Sequence, residues 1–468
     1  MPEIVPLWFI IRDGIPKRAS LSHCLLVPAT MIRSTLYSVV ALLLAVGLLM
    51  VGTGMFNTYI ILRGSQEGFS TPVISLIGSI YYLGLLVGTL RCGPLINRVG
   101  HIRAFASFAT LGAVSILSFP FYVEPWFWLV LRAVLGFCSA GLYMVVESWL
   151  NYRATGETRG TVFSVYMMIS YIGLGGGQLL LGWELAVSQW HFMLAAILIA
   201  LALLPVTLTS KAYPAPVEPR HLSVVRLYQV SPVAVVGCVC AGLVNGAIYA
   251  MGAVFAEEIG LSLTQISQFM GLLIISGLFL QLPIGRLSDR FDRRDIIRLV
   301  GLVSTLFAFT VVLILSLRGS PETSSAPSWL LHWIAIPAAA ACYSAFHFTI
   351  YPLCVAHAND YVEADERVEA SGGLVLAFSI GAVIGPILAA AMMELSGPTG
   401  LFMFNGTVSL LILLFTGYRR KQRSWAGIAD KEPFVSLPDV QTTPNPVELD
   451  PRIADWQLSL DLPLPDDG

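Results

Sequence analysis

The stretch GPLINRVGHIR (residues 93–103) lies between two long apolar segments, and GRLSDRFDRRD (residues 285–295) lies between two others 192 residues later. Each begins with glycine, has leucine two residues on and arginine five residues on. Asn97 of the first stretch corresponds to Asp289 of the second. A motif that recurs in the same context indicates an internal duplication.

The flanking segments determine the fold class. Of the 468 residues 56% are hydrophobic and only 12% are charged, which is typical of a membrane protein. Twelve apolar runs are long enough to cross about 30 Å of hydrocarbon, and they lack the alternation of barrel strands. We therefore predict an all-α polytopic membrane protein. The predicted spans are residues 38–62, 72–92, 104–122, 126–149, 161–182, 190–209, 232–256, 264–285, 297–317, 331–357, 370–393 and 398–418.

A second offset extends the repeat. At 208 residues, Tyr143 falls on Tyr351 and Asn151 on Asn359. The change of offset by 16 coincides with a polar insertion, RGSPETSSAPS, at residues 318–328. We predict two six-helix halves, residues 34–210 and 231–418, joined by a linker at 211–230. Residues 1–33 form an N-terminal extension with a second candidate start at Met31, and residues 419–468 form a tail that we expect to be disordered.

The basic residues predict the orientation. With the amino terminus inside, 24 of the 27 Lys and Arg fall in cytoplasmic segments, as the positive-inside rule requires. Both termini are then cytoplasmic, the two quoted stretches are cytoplasmic loops, and the expected location is a bacterial inner membrane.

Several classes of protein are disfavoured. The net charge of −2 gives no sign of nucleic-acid binding, and the seven cysteines lack zinc-site spacing. The glycine-rich GLGGGQ (residues 173–178) lies within a predicted span without a preceding strand, so helix packing explains it better than nucleotide binding. We expect no cofactor, no metal, no enzymatic activity and no ATPase domain.

The repeated stretch resembles a motif of the major facilitator superfamily, G-x-x-x-D-[RK]-x-G-[RK]-[RK]. The first copy departs from it at Asn97, and the second has Asp292 where glycine is usual. YMVVESWLNYRATGETRG (residues 143–160) and YPLCVAHAND (residues 351–360) resemble the bacterial YcaD-like group of transporters. The resemblance covers about residues 34–418 and implies twelve helices, alternating access and no assigned substrate.

A conformation-dependent gate is one interpretation of the repeated stretch, because an acid or amide at a helix end can pair with nearby arginines when that side is closed. The alternative is that the basic residues mark an inside loop and bind lipid headgroups. The candidate gate residues are Gly93, Asn97, Arg98, Gly100, Arg103, Gly285, Asp289, Arg290, Arg293 and Arg294.

Three ionisable residues in predicted spans are candidates for proton coupling. Arg132 lies in an otherwise apolar span, and LRAVLGF (residues 131–137) resembles the R-x-x-x-G pattern of the superfamily's fourth helix, whose arginine is associated with proton coupling. Glu147 could share a pathway with Arg132 or pair with Arg98 or Arg103. His347 could carry protons or could be a hydrogen-bonded structural residue.

Small residues in two spans favour close helix contact or a bend. They resemble the superfamily's antiporter motif, although its proline is found here in the eleventh span instead of the fifth. These residues are Gly173, Gly177, Gly372, Gly381, Gly385 and Pro386.

Polar residues near the middle of the spans are candidates for substrate binding: Asn57, Tyr143, Asn245, Tyr249 and Tyr351. We predict a proton-coupled exporter of a small organic molecule that acts as a monomer, with protons and membrane lipid as further partners. The alternatives are a facilitator or proton symporter for a metabolite, and a membrane scaffold or sensor that acts through its C-terminal tail.

Overall fold

The computed structural model describes residues 29–153, 159–183, 189–207, 223–317, 334–362 and 366–422. Twelve helices in these ranges are long and apolar enough to cross a membrane, which confirms the predicted fold class. They are α1 Ala29–Gln66, α2 Thr71–Val99, α3 His101–Ser118, α4 Pro125–Arg153, α5 Arg159–Leu181, α6 Trp190–Thr207, α7 Pro232–Glu258, α8 Leu263–Arg290, α9 Arg293–Ser316, α10 Ile336–Asn359, α11 Arg367–Ser396 and α12 Thr399–Arg420. The extension before residue 29, most of the linker and the tail after residue 422 lie outside the described ranges.

The repeated stretch is almost entirely helical, so its prediction as a pair of loops is wrong. α2 continues to Val99 and α3 starts at His101, so only Gly100 separates them. Gly100 makes this junction with φ 87° and ψ 153°, a region that glycine adopts without strain. In the second copy α9 begins after Asp292, which has φ −55° and caps the helix by accepting a hydrogen bond from the Arg294 backbone.

Glycines of α5 and α11 set equivalent helix contacts in the two halves. A Cβ on Gly177 would overlap the carbonyl oxygen of Val51 in α1, and one on Gly385 would overlap that of Leu243 in α7. These contacts are related by the offsets of 192 and 208 residues that the sequence shows. Gly173 and Gly381 pack against α1 and α7 in the same way. Small residues thus allow the backbones of two helices to approach closely. Such packing holds helices together in a membrane, because moving apolar side chains from lipid into the bundle gives no net gain in free energy.

Contacts between the two sets of six helices involve α2 with α7 and α11, α5 with α8, and α1 with α7. Small residues again lie at the closest approaches, since a Cβ on Gly271 of α8 would be 3.2 Å from the Gly175 carbonyl oxygen of α5. Pro386 is buried near Gly78 of α2, at the α2–α11 contact, and Gly372 is buried earlier in α11.

Consecutive spans place the α2–α3 and α8–α9 junctions at the same end of the bundle. We call this the basic end, and the other the opposite end. The short helix Val224–Val230, which precedes α7, also lies at the basic end, where Arg226 pairs with Glu366 at 2.5 Å.

Candidate functional site

Arg132 lies seven residues into α4 from the opposite end, and only 3% of it is exposed. Its Nη1 donates to Asn57 Oδ1 of α1 at 2.8 Å, and its Nε donates to the Ile77 carbonyl of α2 at 3.2 Å. Its guanidinium carbon lies 4.5 Å from the centre of the Tyr81 ring, a cation–π distance. Two of the candidates, Arg132 and Asn57, are therefore brought together.

Among the described residues no carboxylate pairs with Arg132, although a buried charge normally has a counter-ion. Neutral oxygens and an aromatic face stabilise it instead. An ionisable side chain that is buried in a membrane bundle without a carboxylate partner is a candidate for function.

Tyrosines continue the polar contacts from Arg132 towards the basic end. Tyr143, 11 residues further along α4, interacts electrostatically with Tyr81 and is 2% exposed. Tyr81 therefore contacts Arg132 through its ring and interacts with Tyr143.

Glu147 is at the other end of this series. It is fully buried, and its Oε1 accepts a hydrogen bond of 2.9 Å from the Tyr166 hydroxyl of α5. Tyr166 also interacts electrostatically with Tyr143. The 15 residues from Arg132 to Glu147 correspond to about 22 Å along α4 at about 1.5 Å per residue. We call Arg132, Tyr81, Tyr143, Tyr166 and Glu147 the polar series.

The suggested pairing of Glu147 with Arg98 or Arg103 is wrong. Both arginines are exposed and form no ion pair within the described residues, whereas Glu147 points into the bundle. The cause is that α2 and α3 continue through the motif and present Arg98 and Arg103 on their outer surfaces.

Tyr351 of α10 interacts electrostatically with the polar series from the second half. It is 3% exposed, packs edge-on against Phe378 at 5.1 Å and interacts electrostatically with Glu147. Tyr143 interacts electrostatically with Tyr166, and Tyr351 interacts with Glu147. The two tyrosines that correspond in the repeat thus both interact with the hydrogen-bonded pair of Glu147 and Tyr166. Of the other candidates, Asn245 is buried in α7 and Tyr249 stacks on Phe348 at 6.1 Å.

His347 lies apart from these groups, in the packing between α10 and α12. Its Nδ1 is 3.4 Å from Ser409 Oγ, and its ring stacks on Tyr343 at 5.4 Å. The Tyr343 hydroxyl is 3.3 Å from the same Ser409 hydroxyl. These contacts favour the structural interpretation that the sequence left open.

Sequence reasoning missed Tyr81, Tyr166 and a hydrogen bond between the halves. Gln281 Nε2 of α8 donates to the Tyr171 hydroxyl of α5 at 2.5 Å, and both side chains are buried. A signal for them existed, because each is a hydrogen-bonding side chain inside a long apolar run. The candidate list covered spans 1, 4, 7 and 10 and neglected spans 2, 5 and 8.

Ion pairs are concentrated in the second copy of the repeated stretch. Arg293, 1% exposed, donates to Asp360 Oδ2 of α10 at 2.8 Å and to Ser288 Oγ at 2.9 Å, and its Nη1 is 3.3 Å from Asp289 Oδ1. These contacts tie α9 to α8 and α10. Arg290 is exposed.

Asp292 forms a local pair with Arg294 at 2.7 Å. Burial of Asp292 raises its pKa, but hydrogen bonds from the Arg294 side chain and backbone, together with the charge of Arg294, outweigh burial. The pKa of Asp292 is therefore lower than usual.

The first copy is held by neutral groups. His101, which corresponds to Arg293, is 3.1 Å from Ser148 Oγ of α4 and stacks on Trp149 at 6.3 Å. Asn97 is exposed and Gly93 is buried. The first copy thus joins α3 to α4 through neutral groups, whereas the second copy joins α9 to α10 through an ion pair.

The family model of the Major Facilitator Superfamily matches residues 42–349 and 323–449. The chain belongs to this superfamily. Its curated relatives include the MFS-type transporter YcaD of Escherichia fergusonii, 29% identical over 386 residues that cover 81% of this chain and 96% of the relative. YcaD of Salmonella typhi is 29% identical over 390 residues, with the same two coverages. The resemblance to the YcaD-like group is therefore confirmed, and the protein is a membrane transporter, not an enzyme.

Solved structures show the same fold. The nucleoside transporter NupG matches with a TM-score of 0.63 and 14% identity, over 82% of this chain and 98% of that one. A bacterial homologue of the human lysosomal transporter Spinster, in an inward-facing occupied conformation, matches with a TM-score of 0.65 and 14% identity. The match covers 86% of this chain and 98% of that one. At these identities the likeness concerns the fold alone.

Proposed function

We propose that the protein is a proton-coupled exporter of a small organic molecule that works by alternating access between its two halves. The observation that supports this most directly is the polar series, which crosses much of the first half inside an apolar bundle and interacts electrostatically with Tyr351 of the second half. Such a buried polar route is costly in a membrane protein and is typical of transport pathways.

Glu147 is the proposed proton carrier. Its ionised form accepts the hydrogen bond from Tyr166, and its charge acts on Tyr351 across the contact between the halves. Protonation removes that charge, so it changes the energy of a contact that exists when the halves are together. A group that interacts differently with two conformations biases the equilibrium between them.

Arg132 is the proposed substrate-facing cation. The contacts described for Arg132 are to neutral groups, so an anionic group of a substrate would be its first strong partner. Tyr81, Tyr143 and Tyr351 supply aromatic faces and hydroxyls for the rest of the molecule. The proposed substrate class is a small organic anion or polar metabolite, and the resemblance of α11 to the antiporter motif favours export.

The basic end is proposed to face the cytoplasm, because 24 of the 27 Lys and Arg then obey the positive-inside rule. The second repeated stretch, whose Arg293 pairs with Asp289 and Asp360, is the proposed main part of a cytoplasmic gate. The first copy is expected to be the weaker part, because Arg98 and Arg103 face outwards without ion pairs within the described residues. Loss of the Asp289 charge should therefore raise the accessibility of an engineered cysteine at the basic end. Unchanged accessibility in Asp289→Asn would contradict the gate.

The transport proposal is tested by untargeted mass spectrometry of cells and medium. The strains overproduce the intact protein, Arg132→Ala, Glu147→Gln or no transporter, at matched membrane abundance. Glu394→Gln is the control for the glutamate change, because Glu394 is exposed at the far end of α11. We expect one or more anionic or polar compounds to accumulate in the medium with the intact protein and with Glu394→Gln only.

Equal profiles for the intact protein and Glu147→Gln would contradict proton coupling through this carboxylate. Depletion of a compound from the medium would point to uptake. A scaffold predicts that truncation after residue 423 removes the phenotype, whereas a transporter should retain its flux.

A further inference from the structure

A groove on the outer surface of the bundle lies between the end of α2 and the start of α3. Its volume is about 420 Å³. Leu95 and Val99 of α2 and Phe108 of α3 provide apolar walls, and Arg98 and Arg103 provide two guanidinium groups. Neither arginine forms an ion pair within the described residues, and both are exposed.

The position of the groove defines what can occupy it. The span of α2 ends at Val99 and the span of α3 begins at His101. Arg98 and Arg103 therefore lie at the boundary between the hydrocarbon and the lipid headgroups. Leu95, 41% exposed, lies one turn deeper, in the region of the acyl chains. A molecule that fills the groove must therefore have an anionic head and an apolar tail.

Arg91 is an independent indication. It lies seven residues before Arg98, which places both within about 20° on the same face of α2. It is exposed about 12 Å from the end of this helix, at about 1.5 Å per residue, and forms no ion pair within the described ranges. A lipid-exposed arginine at that depth is costly unless its side chain reaches a phosphate or water.

The second half has two exposed arginines without an ion pair within the described residues, Arg286 and Arg290, but both lie on α8 and none lies across the α8–α9 junction. Arg290 corresponds to Arg98, but Arg103 corresponds to Asp295, whose carboxylate pairs with Arg420 at 2.8 Å and Arg298 at 3.3 Å. The first half therefore has a guanidinium group on each side of its junction, whereas in the second half the position across the junction is an acid that is already paired.

We infer that the α2–α3 groove binds an anionic phospholipid, with its phosphate between Arg98 and Arg103 and an acyl chain along the exposed Leu95. Guanidinium groups match phosphate oxygens in pairs, and basic pockets between spans are suited to anionic headgroups. The site is separate from the polar series and does not rest on the proposed transport function.

Native mass spectrometry of the full chain in detergent tests this site, with phosphatidylglycerol as the probe. Each of Arg98→Gln and Arg103→Gln should lower phosphatidylglycerol retention about fivefold, which corresponds to about 1 kcal/mol per basic residue at a membrane surface. Arg290→Gln is the matched control and should change retention by less than about twofold. All three side chains are exposed, so the variants should fold.

Two further probes separate the sources of binding. Phosphatidylethanolamine has the same phosphate but also an ammonium group that offsets its charge, so it should be retained less well and should lose less retention in Arg98→Gln. Soluble glycerol phosphate should not displace phosphatidylglycerol. Equal retention by the intact protein and the Arg98→Gln/Arg103→Gln double variant would overturn the inference. So would an equal loss in Arg290→Gln, or displacement by glycerol phosphate at the concentration of the lipid.

Discussion

Helices α4 and α10 occupy equivalent places in the two halves, but their charges differ completely. At the offset of 208 residues, Arg132 corresponds to Ala340 and Glu147 to Val355. The buried charges of α4 are thus confined to one half, although Tyr143 and Tyr351 are kept in both. Duplication gave the two halves the same helices, and the ionisable residues in the middle of the bundle then came to differ.

The basic end shows the reverse distribution. There the second half has the buried ion pair of Arg293 and Asp360, whereas the first half has His101 against Ser148. Charge is placed in the middle of the first half and at the end of the second. The charges at the end of the second half, Arg293 and Asp360, hold helices together, whereas we propose that Arg132 and Glu147 of the first half act in transport.

The largest expected effect concerns the Arg293–Asp360 pair. Arg293→Gln removes the buried cation that pairs with Asp360 at 2.8 Å, and loss of one partner of a buried ion pair costs about 3 to 5 kcal/mol of unfolding free energy. His101→Gln, its counterpart in the first half, removes one neutral hydrogen bond and should cost about 1 kcal/mol. Denaturant unfolding of the purified variants in one detergent gives both values.

A double-mutant cycle with Asp360→Asn supplies the control for Arg293. The double variant should be more stable than the sum of the single losses predicts, because both charges are then removed. Similar losses for Arg293→Gln and His101→Gln would remove the distinction between the two copies.

The next largest expected effect on stability concerns the turn between the two helices of each repeated stretch. Gly100 has φ 87° and ψ 153°, a region essentially reserved for glycine, and a Cβ there would meet no atom within 4 Å. Gly100→Ala should therefore cost about 1 to 3 kcal/mol through backbone strain alone. Asp292→Ala removes a helix cap and should cost about 1 kcal/mol.

Gly100→Asn provides the discriminating control. Asparagine tolerates the left-handed helical region but not this extended one, so it should be no better than alanine. Unfolding free energies equal to that of the unmodified protein for both variants would show that the junction relaxes.

The fold was predictable because span length, hydrophobicity and the repeated stretch are one-dimensional signals. How far the helices extend into the repeated stretch was not predictable, because a proline at residue 94 and the run of polar residues are typical of a loop. In the structure Pro94 is exposed inside α2, where neighbouring groups tolerate it. Composition alone could not distinguish a helix end from a turn.

The site was predictable only in part. Arg132, Asn57, Tyr143, Glu147 and Tyr351 were recognised as polar residues in apolar spans, but their grouping depends on which helix faces are in contact. Arg132 contacts two residues of α2, a helix whose tyrosines the sequence did not single out. A periodic pattern gives the buried face of one helix but not the partner of a side chain on another.

The smallest expected effect concerns Asp292, which holds the turn in the second copy where Gly100 holds it in the first. Because its pKa in the folded protein lies below the usual value, ionised Asp292 stabilises the fold at pH above about 3.9. This contribution disappears as the pH falls through the lowered pKa. Asp292→Asn keeps an acceptor for the Arg294 backbone and removes only the charge. It should therefore be less stable than the unmodified protein by under about 1 kcal/mol at pH 7, with a difference that vanishes at low pH. Thermal unfolding in detergent from pH 7 to pH 2 measures this, and a difference independent of pH would mean that the cap alone, and not the charge, holds the second turn.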